Sequence, residues 1–222
     1  MRMNAVGLLL ALGCASGGGT PDPATSGAPD DPPTMECLPE VPASTRGAFS
    51  QSMRFAWRLS EDAFELPDPT PPSPDSDTRT VQGWTEGPLQ EWLHQKNRLV
   101  EAARAELNIA AEESHDQRTL AGALVGLLYE DVARVLLQVP LPRDLANEEP
   151  IVIEAFRDVV EAQARPYLEH AKRAFRACAM NAQPHAHLHA WTHFCSARAA
   201  NLPLTRDQRQ AEGTTVEVIA PE

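Results

Sequence analysis

Four histidines crowd one short run near the carboxyl end. His185, His187, His189 and His193 lie in Pro-His-Ala-His-Leu-His-Ala-Trp-Thr-His. On a helix His185, His189 and His193 would share one stripe, and imidazoles at i and i+4 chelate zinc, copper or nickel. His189 and His193 have the spacing of a zinc-protease helix, yet Ala190 stands where that chemistry needs its glutamate base. A periplasmic metal-binding protein built on His185–His193 is therefore the alternative function, and it needs a formed first helical turn plus a carboxylate or Cys195. A polar turn leading into a helix explains the same residues without a ligand, and we expect no metal or cofactor. Nucleophilic catalysis has less support. The chain has no Gly-x-Ser-x-Gly elbow, no phosphate-cradling glycine loop and no papain-like cysteine context. Its 31 acidic residues are spread along helical stretches, so no pair stands out as acid and base. The expectation is a protein that is not an enzyme.

The cysteines carry more information. Arg2 and the apolar run Ala5 to Leu12 have the length of a secretory leader, too short for a membrane span. Ala11-Leu12-Gly13-Cys14 follows, and it resembles a bacterial lipobox, with Ala11 and Leu12 in swapped order relative to the commonest pattern. That resemblance implies a signal peptide over residues 1–13 and lipidation of Cys14. It also implies transfer to the outer membrane, because Ala15 rather than an acid follows the cysteine. Several acyl chains on one cysteine suffice for stable anchoring. In an oxidising envelope Cys37, Cys178 and Cys195 can form a disulfide. Cys178 and Cys195 fall on the apolar stripes of consecutive helices, which favours their pairing if residues 182 to 187 are loop and the last helix begins near Leu188. A bridge using Cys37 is the next arrangement, and buried thiols the third.

The net charge of −12 becomes −13 once Arg2 leaves with the leader. No basic stripe is available to release counterions from phosphates, so nucleic acid is excluded as a partner.

The elements that must position these residues centre on Thr119 to Pro142. Leu120, Leu124, Leu127, Leu128, Val132, Val135, Leu136 and Val139 recur at helical steps, and small residues fill the rest of the first half. Such a helix belongs in the middle of a bundle. Gly122 and Gly126, one turn apart, would let a neighbouring backbone come close. Ahead of it lie a flexible tether over 14–45, an accessory helix over 46–66 with Phe49, Met53, Trp57 and Phe64 on its stripe, and a Pro-rich acidic linker over 67–82. Helical repeats bury a continuous core only by stacking, so the accessory helix is expected to fold back over the domain. The main domain spans 83–202. It opens with a helix carrying Leu89, Trp92, Leu93, Leu99, Ala102, Ala103, Leu107 and Ala110 on one face. After the central helix comes a third, with Val152, Phe156, Val159, Val160, Tyr167, Ala171, Ala174, Phe175 and Cys178 on its buried side and Pro166 expected to kink or divide it. A last helix carries Leu188, Trp191, Cys195, Ala199 and Leu202, and residues 203–222 form a loose tail. The predicted fold is all-α, made of antiparallel helix pairs.

Residues Trp92 to Leu202 resemble the tetratricopeptide-type helical repeats of envelope lipoproteins from myxobacteria and relatives, including gliding-motility-associated proteins. The likeness rests on Leu127-Leu128-Tyr129-Glu130-Asp131 and Val139-Pro140-Leu141-Pro142. It continues through Glu148-Glu149, Phe156-Arg157-Asp158, Glu161-Ala162-Gln163-Ala164, and Pro166 ahead of Glu169, Ala171 and Phe175. It implies a scaffold or adaptor in the cell envelope, with other envelope proteins as partners and the membrane reached through Cys14.

Overall fold

The computed structural model describes Met35, residues 38–41 and residues 43–202. The leader, Cys14, Cys37 and the carboxyl-terminal tail lie outside the described residues. Within them there is no strand, and seven α-helices follow in order. They are α1 (Ala43–Gly47), α2 (Gln51–Glu65), α3 (Thr78–Trp84), α4 (Gln90–Ala110), α5 (His115–Leu137), α6 (Pro150–Ala182) and α7 (His189–Asn201). The all-helical expectation holds.

α5 is the centre. Its first half is apolar nearly all round, and most of its length is buried, from Leu120 through Leu136. α4 packs on one side of it and α6 on the other; α2 covers α4, and α7 covers α6. Each neighbouring pair is antiparallel. Lys96 meets Asp131 while Glu101 meets Tyr129, and Gly122 faces Cys178 while Gly126 faces Phe175. A single apolar core runs from Phe49 and Met53 through α5 to Trp191 and Leu202.

Local chemistry fixes the helix starts. The Ser114 hydroxyl accepts from the Gln117 amide at 3.2 Å and caps α5. Ser50 caps α2 in the same way at 3.1 Å. The Ser50 hydroxyl and amide also donate to the buried Gln117 side chain, which ties the start of α2 to the start of α5. α2 does fold back. Met53, Ala56, Ser60 and Ala63 are buried, and the aromatic rings of Trp57 and Phe64 lie at the edge of the core.

One boundary differs from the sequence expectation, and two prolines lie inside helical paths. The linker ends sooner, because Asp77 accepts from the Thr80 amide at 2.9 Å and starts α3 at Thr78 rather than near Gly83. Pro88 lies inside a continuous helical path, in a wide turn over Thr85–Leu89 that joins α3 to α4. A widened turn accommodates a ring that would otherwise clash one turn back and a residue that lacks its N–H. Pro166 likewise does not divide α6, which is assigned as one helix of 33 residues.

The larger correction concerns α6. Its buried residues are Ala164, Leu168, Ala171, Phe175, Cys178 and Ala182, and none precedes Ala164. Val152 and Val159, expected on the buried side, are exposed. α5 ends at Leu137, and the antiparallel pairing places that end beside Ala164, so the first half of α6 runs on past its central support.

Candidate functional site

The two cysteines lie at disulfide distance. Cys178 on α6 and Cys195 on α7 have sulfurs 1.99 Å and Cα atoms 6.0 Å apart, and neither is accessible to solvent. The reason is the length of the connection. A 3₁₀ turn over Ala186–Leu188 delays α7 until His189, which brings Cys195 level with Cys178. Gly122 on α5 backs the pair, since a Cβ there would stand 3.1 Å from the Cys178 Cβ and 3.2 Å from its Cα.

The same turn separates the histidines. His185 precedes the 3₁₀ turn in extended conformation, so it does not join His189 and His193 on α7. Its ring sits 4.5 Å from that of His115, at the start of α5, and 5.9 Å from that of His187. His187 Nε2 contacts Asp116 Oδ1 at 2.9 Å. His189 and His193 are exposed on α7, and Cys195 is already paired. Among the described residues no group of three or more His, Cys, Asp or Glu side chains is arranged to hold a metal ion.

A buried charge network went unread in the sequence. Lys96 on α4 is wholly buried and reaches both the Asp131 carboxylate on α5 and the Ala63 carbonyl on α2. Its ammonium also lies 5.6 Å from the centre of the Phe64 ring and 5.5 Å from that of Trp92. Arg134 donates to Asp131 at 2.7 Å and to Asp68, in the linker, at 2.7 Å. One chain of charges thus joins α2, the linker, α4 and α5. The signal was present as spacing: Lys96 falls in the stripe Trp92, Lys96, Val100, Ala103, Leu107, and Asp131 in the stripe Leu124, Leu127, Leu128, Asp131, Val135. Charged residues on an apolar stripe are easily taken for surface positions, and buried ones are paired.

A second polar cluster is half-buried between α4, α5 and α6. The Tyr129 hydroxyl donates to Glu101 at 3.0 Å and accepts from Arg104 at 2.9 Å. His170 stacks on the Tyr129 ring at 4.9 Å, and Asn97 donates to the Tyr167 hydroxyl at 3.0 Å. Burial raises the Tyr129 phenol, and burial with the nearby Arg173 and Arg104 lowers the His170 imidazole. Both shifts favour neutral forms, which suits a packed joint between helices. On the far side of α5, Glu130 pairs with Arg198 of α7 at 3.0 Å, and burial raises its carboxyl.

What the described helices do present outward is the first half of α6. Ile151, Ala155, Val159 and Ala162 form one exposed stripe, with Ile151 70% and Val159 62% exposed. Glu154, Asp158 and Glu161 form the adjoining stripe at the same helical spacing. Apolar surface of this kind, rimmed by charge, is characteristic of protein contact. Of these the sequence pattern marked Val159, and it assigned that residue to the core.

No protein family, curated protein or solved structure matches the chain.

Proposed function

We propose that this chain is an outer-membrane lipoprotein, anchored through acyl chains on Cys14, whose TPR-like helical domain serves as a scaffold or adaptor for another envelope protein. The observation that carries the reading is the outward apolar stripe of α6, on which Ile151 and Val159 are exposed. Its complement is a segment that presents an apolar face of its own. The successive antiparallel helix pairs fit a repeat-type scaffold. A buried Cys178–Cys195 pair fits an oxidising compartment, where such bridges persist. Two measurements test the proposal. Cys14→Ser should abolish acyl labelling and release the protein from the membrane fraction; retention with label would overturn the anchor. Val159→Arg should abolish crosslinking to the envelope partner while the helical circular-dichroism signal is kept. Equal crosslinking by a folded V159R protein would overturn the surface.

A further inference from the structure

A short basic interval surrounds the start of α2 in an otherwise acidic chain. From Val41 to Ser60 there are three arginines and no acid, against a net charge of −12 for the whole sequence. The fold gathers all three. Arg46 of α1 and Arg54 and Arg58 of α2 surround a hollow of about 260 Å³ whose remaining walls are the rings of Phe49 and Trp57. The two ring centres are 5.9 Å apart. All three arginines are exposed. Arg54 donates to the Phe49 carbonyl at 2.5 Å, and among the described residues none of the three is paired with a carboxylate. The acids nearby are already engaged: Glu61 accepts from the Trp57 indole at 2.7 Å, and Asp116 contacts Thr45 and His187. Phe55, next to Arg54, is 50% exposed.

Helix stability does not account for these positions. Cations are favoured at the carboxyl end of a helix and acids at its amino end. α2 reverses this, with Arg54 near its start and Asp62 and Glu65 near its finish. The chemistry suits a phosphate. Guanidinium groups pair with phosphate oxygens at two points, and they shed water more readily than an ammonium does. Aromatic rings of the tryptophan kind settle at the headgroup level of a bilayer. The hollow falls below the roughly 300 Å³ at which pockets for drug-sized ligands begin, but it accommodates a phosphoglycerol group. Position agrees with chemistry. Cys14 lies roughly thirty residues before Arg46, so at about 3.3 Å per residue an acylated Cys14 holds the patch within about 100 Å of the bilayer. Docking is then intramolecular, and a weak affinity is enough. The acids of the rest of the domain are largely screened beyond about 10 Å at physiological salt.

We propose that Arg46, Arg54 and Arg58, with Phe49 and Trp57, bind the phosphate headgroup of an anionic phospholipid, and that Phe55 enters the same surface. The inference rests on the outer-membrane reading for the nearness of a bilayer, but it is tested without the anchor.

A chain from Ala15 to Glu222, which keeps every described residue, is mixed at low salt with vesicles of phosphatidylcholine, alone or with one third phosphatidylglycerol. Flotation reads the bound fraction. Binding is expected only with phosphatidylglycerol. An arginine near an anionic surface contributes about fivefold, so Arg46→Gln/Arg54→Gln/Arg58→Gln should lower the affinity about a hundredfold. Arg79→Gln/Arg98→Gln/Arg176→Gln removes the same charge from exposed positions elsewhere and should bind as the parent does. If the patch variant loses its helical signal, Arg46→Gln/Arg58→Gln, which keeps the Arg54 bond to Phe49, takes its place with an expected loss of about 25-fold. No preference for phosphatidylglycerol, or equal loss in the patch and control variants, would overturn the proposal. Binding of free glycerol phosphate without vesicle binding would assign the hollow to a soluble anion. Binding of a glutamate-rich peptide without vesicle binding would assign it to an acidic protein; either result overturns the lipid. Vesicle binding with no acyl label on Cys14 in cells would leave this inference standing and remove the anchor. A labelled Cys14 without vesicle binding would do the reverse.

Discussion

The Phe175 ring occupies the space where a side chain at Gly126 would begin. A Cβ built on Gly126 would lie 2.5 Å from Cε1 and 2.6 Å from Cδ1 of that ring. α5 and α6 can approach closely only because position 126 has no side chain. Gly126→Ala should gain about 1 kcal/mol in helix propensity but force the buried ring aside. Overpacking of this kind costs about 1–3 kcal/mol, so a net loss of stability is expected. Gly122→Ala, whose Cβ would meet Cys178 at 3.1 Å, should cost less. Urea denaturation under oxidising conditions measures both. A Gly126→Ala protein as stable as the parent would refute the close-packing account.

The glycine pair shows what a sequence can disclose. Two glycines one turn apart in an apolar helix point to a close neighbour, and the antiparallel order of α6 and α7 follows from their short connection. The level of Cys195 was legible only as a condition on where α7 begins, and the 3₁₀ turn at Ala186–Leu188 meets it. The apolar residues of α6 misled for a physical reason. Periodicity reports that one side of a helix is apolar, but not whether a partner is present at that level. α5 stops at Leu137 because Pro140 and Pro142 follow, and Val152 and Val159 therefore lose their expected cover. Lys96 misled in the opposite direction, since its burial depends on Asp131 of α5 and on Ala63 and Phe64 of α2, brought to it from two distant segments.

The cysteine pair makes a separate prediction. The two residues are 17 apart in sequence, and closing a loop of that size contributes about 3 kcal/mol in the chain-entropy model. Peptide mapping without reductant should recover both cysteines in one linked fragment. Because both are buried, reductant should act slowly on the native protein and quickly in denaturant. Alkylation of both as thiols in the native, unreduced protein would disprove the pairing.

Glu130 should impose a pH dependence of identifiable sign. Its burial raises the carboxyl above its ordinary value, against the opposing pull of Arg198. Over the pH range just above the ordinary carboxyl value, the folded chain keeps a proton that the unfolded chain has lost. The contribution is present in full at lower pH and disappears as pH rises through the raised value. Glu130→Gln retains a side chain able to accept from Arg198 but removes the titration. Melting temperatures stepped from pH 4 to pH 7 should fall less with rising pH in the variant than in the parent. Parallel curves would exclude Glu130 as a contributor.

The Lys96–Asp131 pair decides how firmly α2 belongs to the domain. Removing one partner of a buried ion pair typically costs about 3–5 kcal/mol, because the other charge is left without compensation. Lys96→Met strips Asp131 of one of its cations while Arg134 remains, and it also leaves the Ala63 carbonyl without that donor. Asp131→Asn keeps an amide oxygen able to accept from the ammonium but leaves that buried charge without its counter-ion, among neutral acceptors and two aromatic faces, which should cost more. The double variant should be less destabilised than the sum of the two, with a coupling of at least about 1 kcal/mol by the usual cycle. Deleting residues 46–66 removes the Ala63 carbonyl together with Met53 and Ala56, so it should lower the melting temperature and promote aggregation. In that deleted chain Lys96 becomes accessible to water, and Lys96→Met should then cost much less than in the full chain. If Lys96→Met costs the same with and without residues 46–66, α2 does not seal the pair, and the helix belongs to the tether instead.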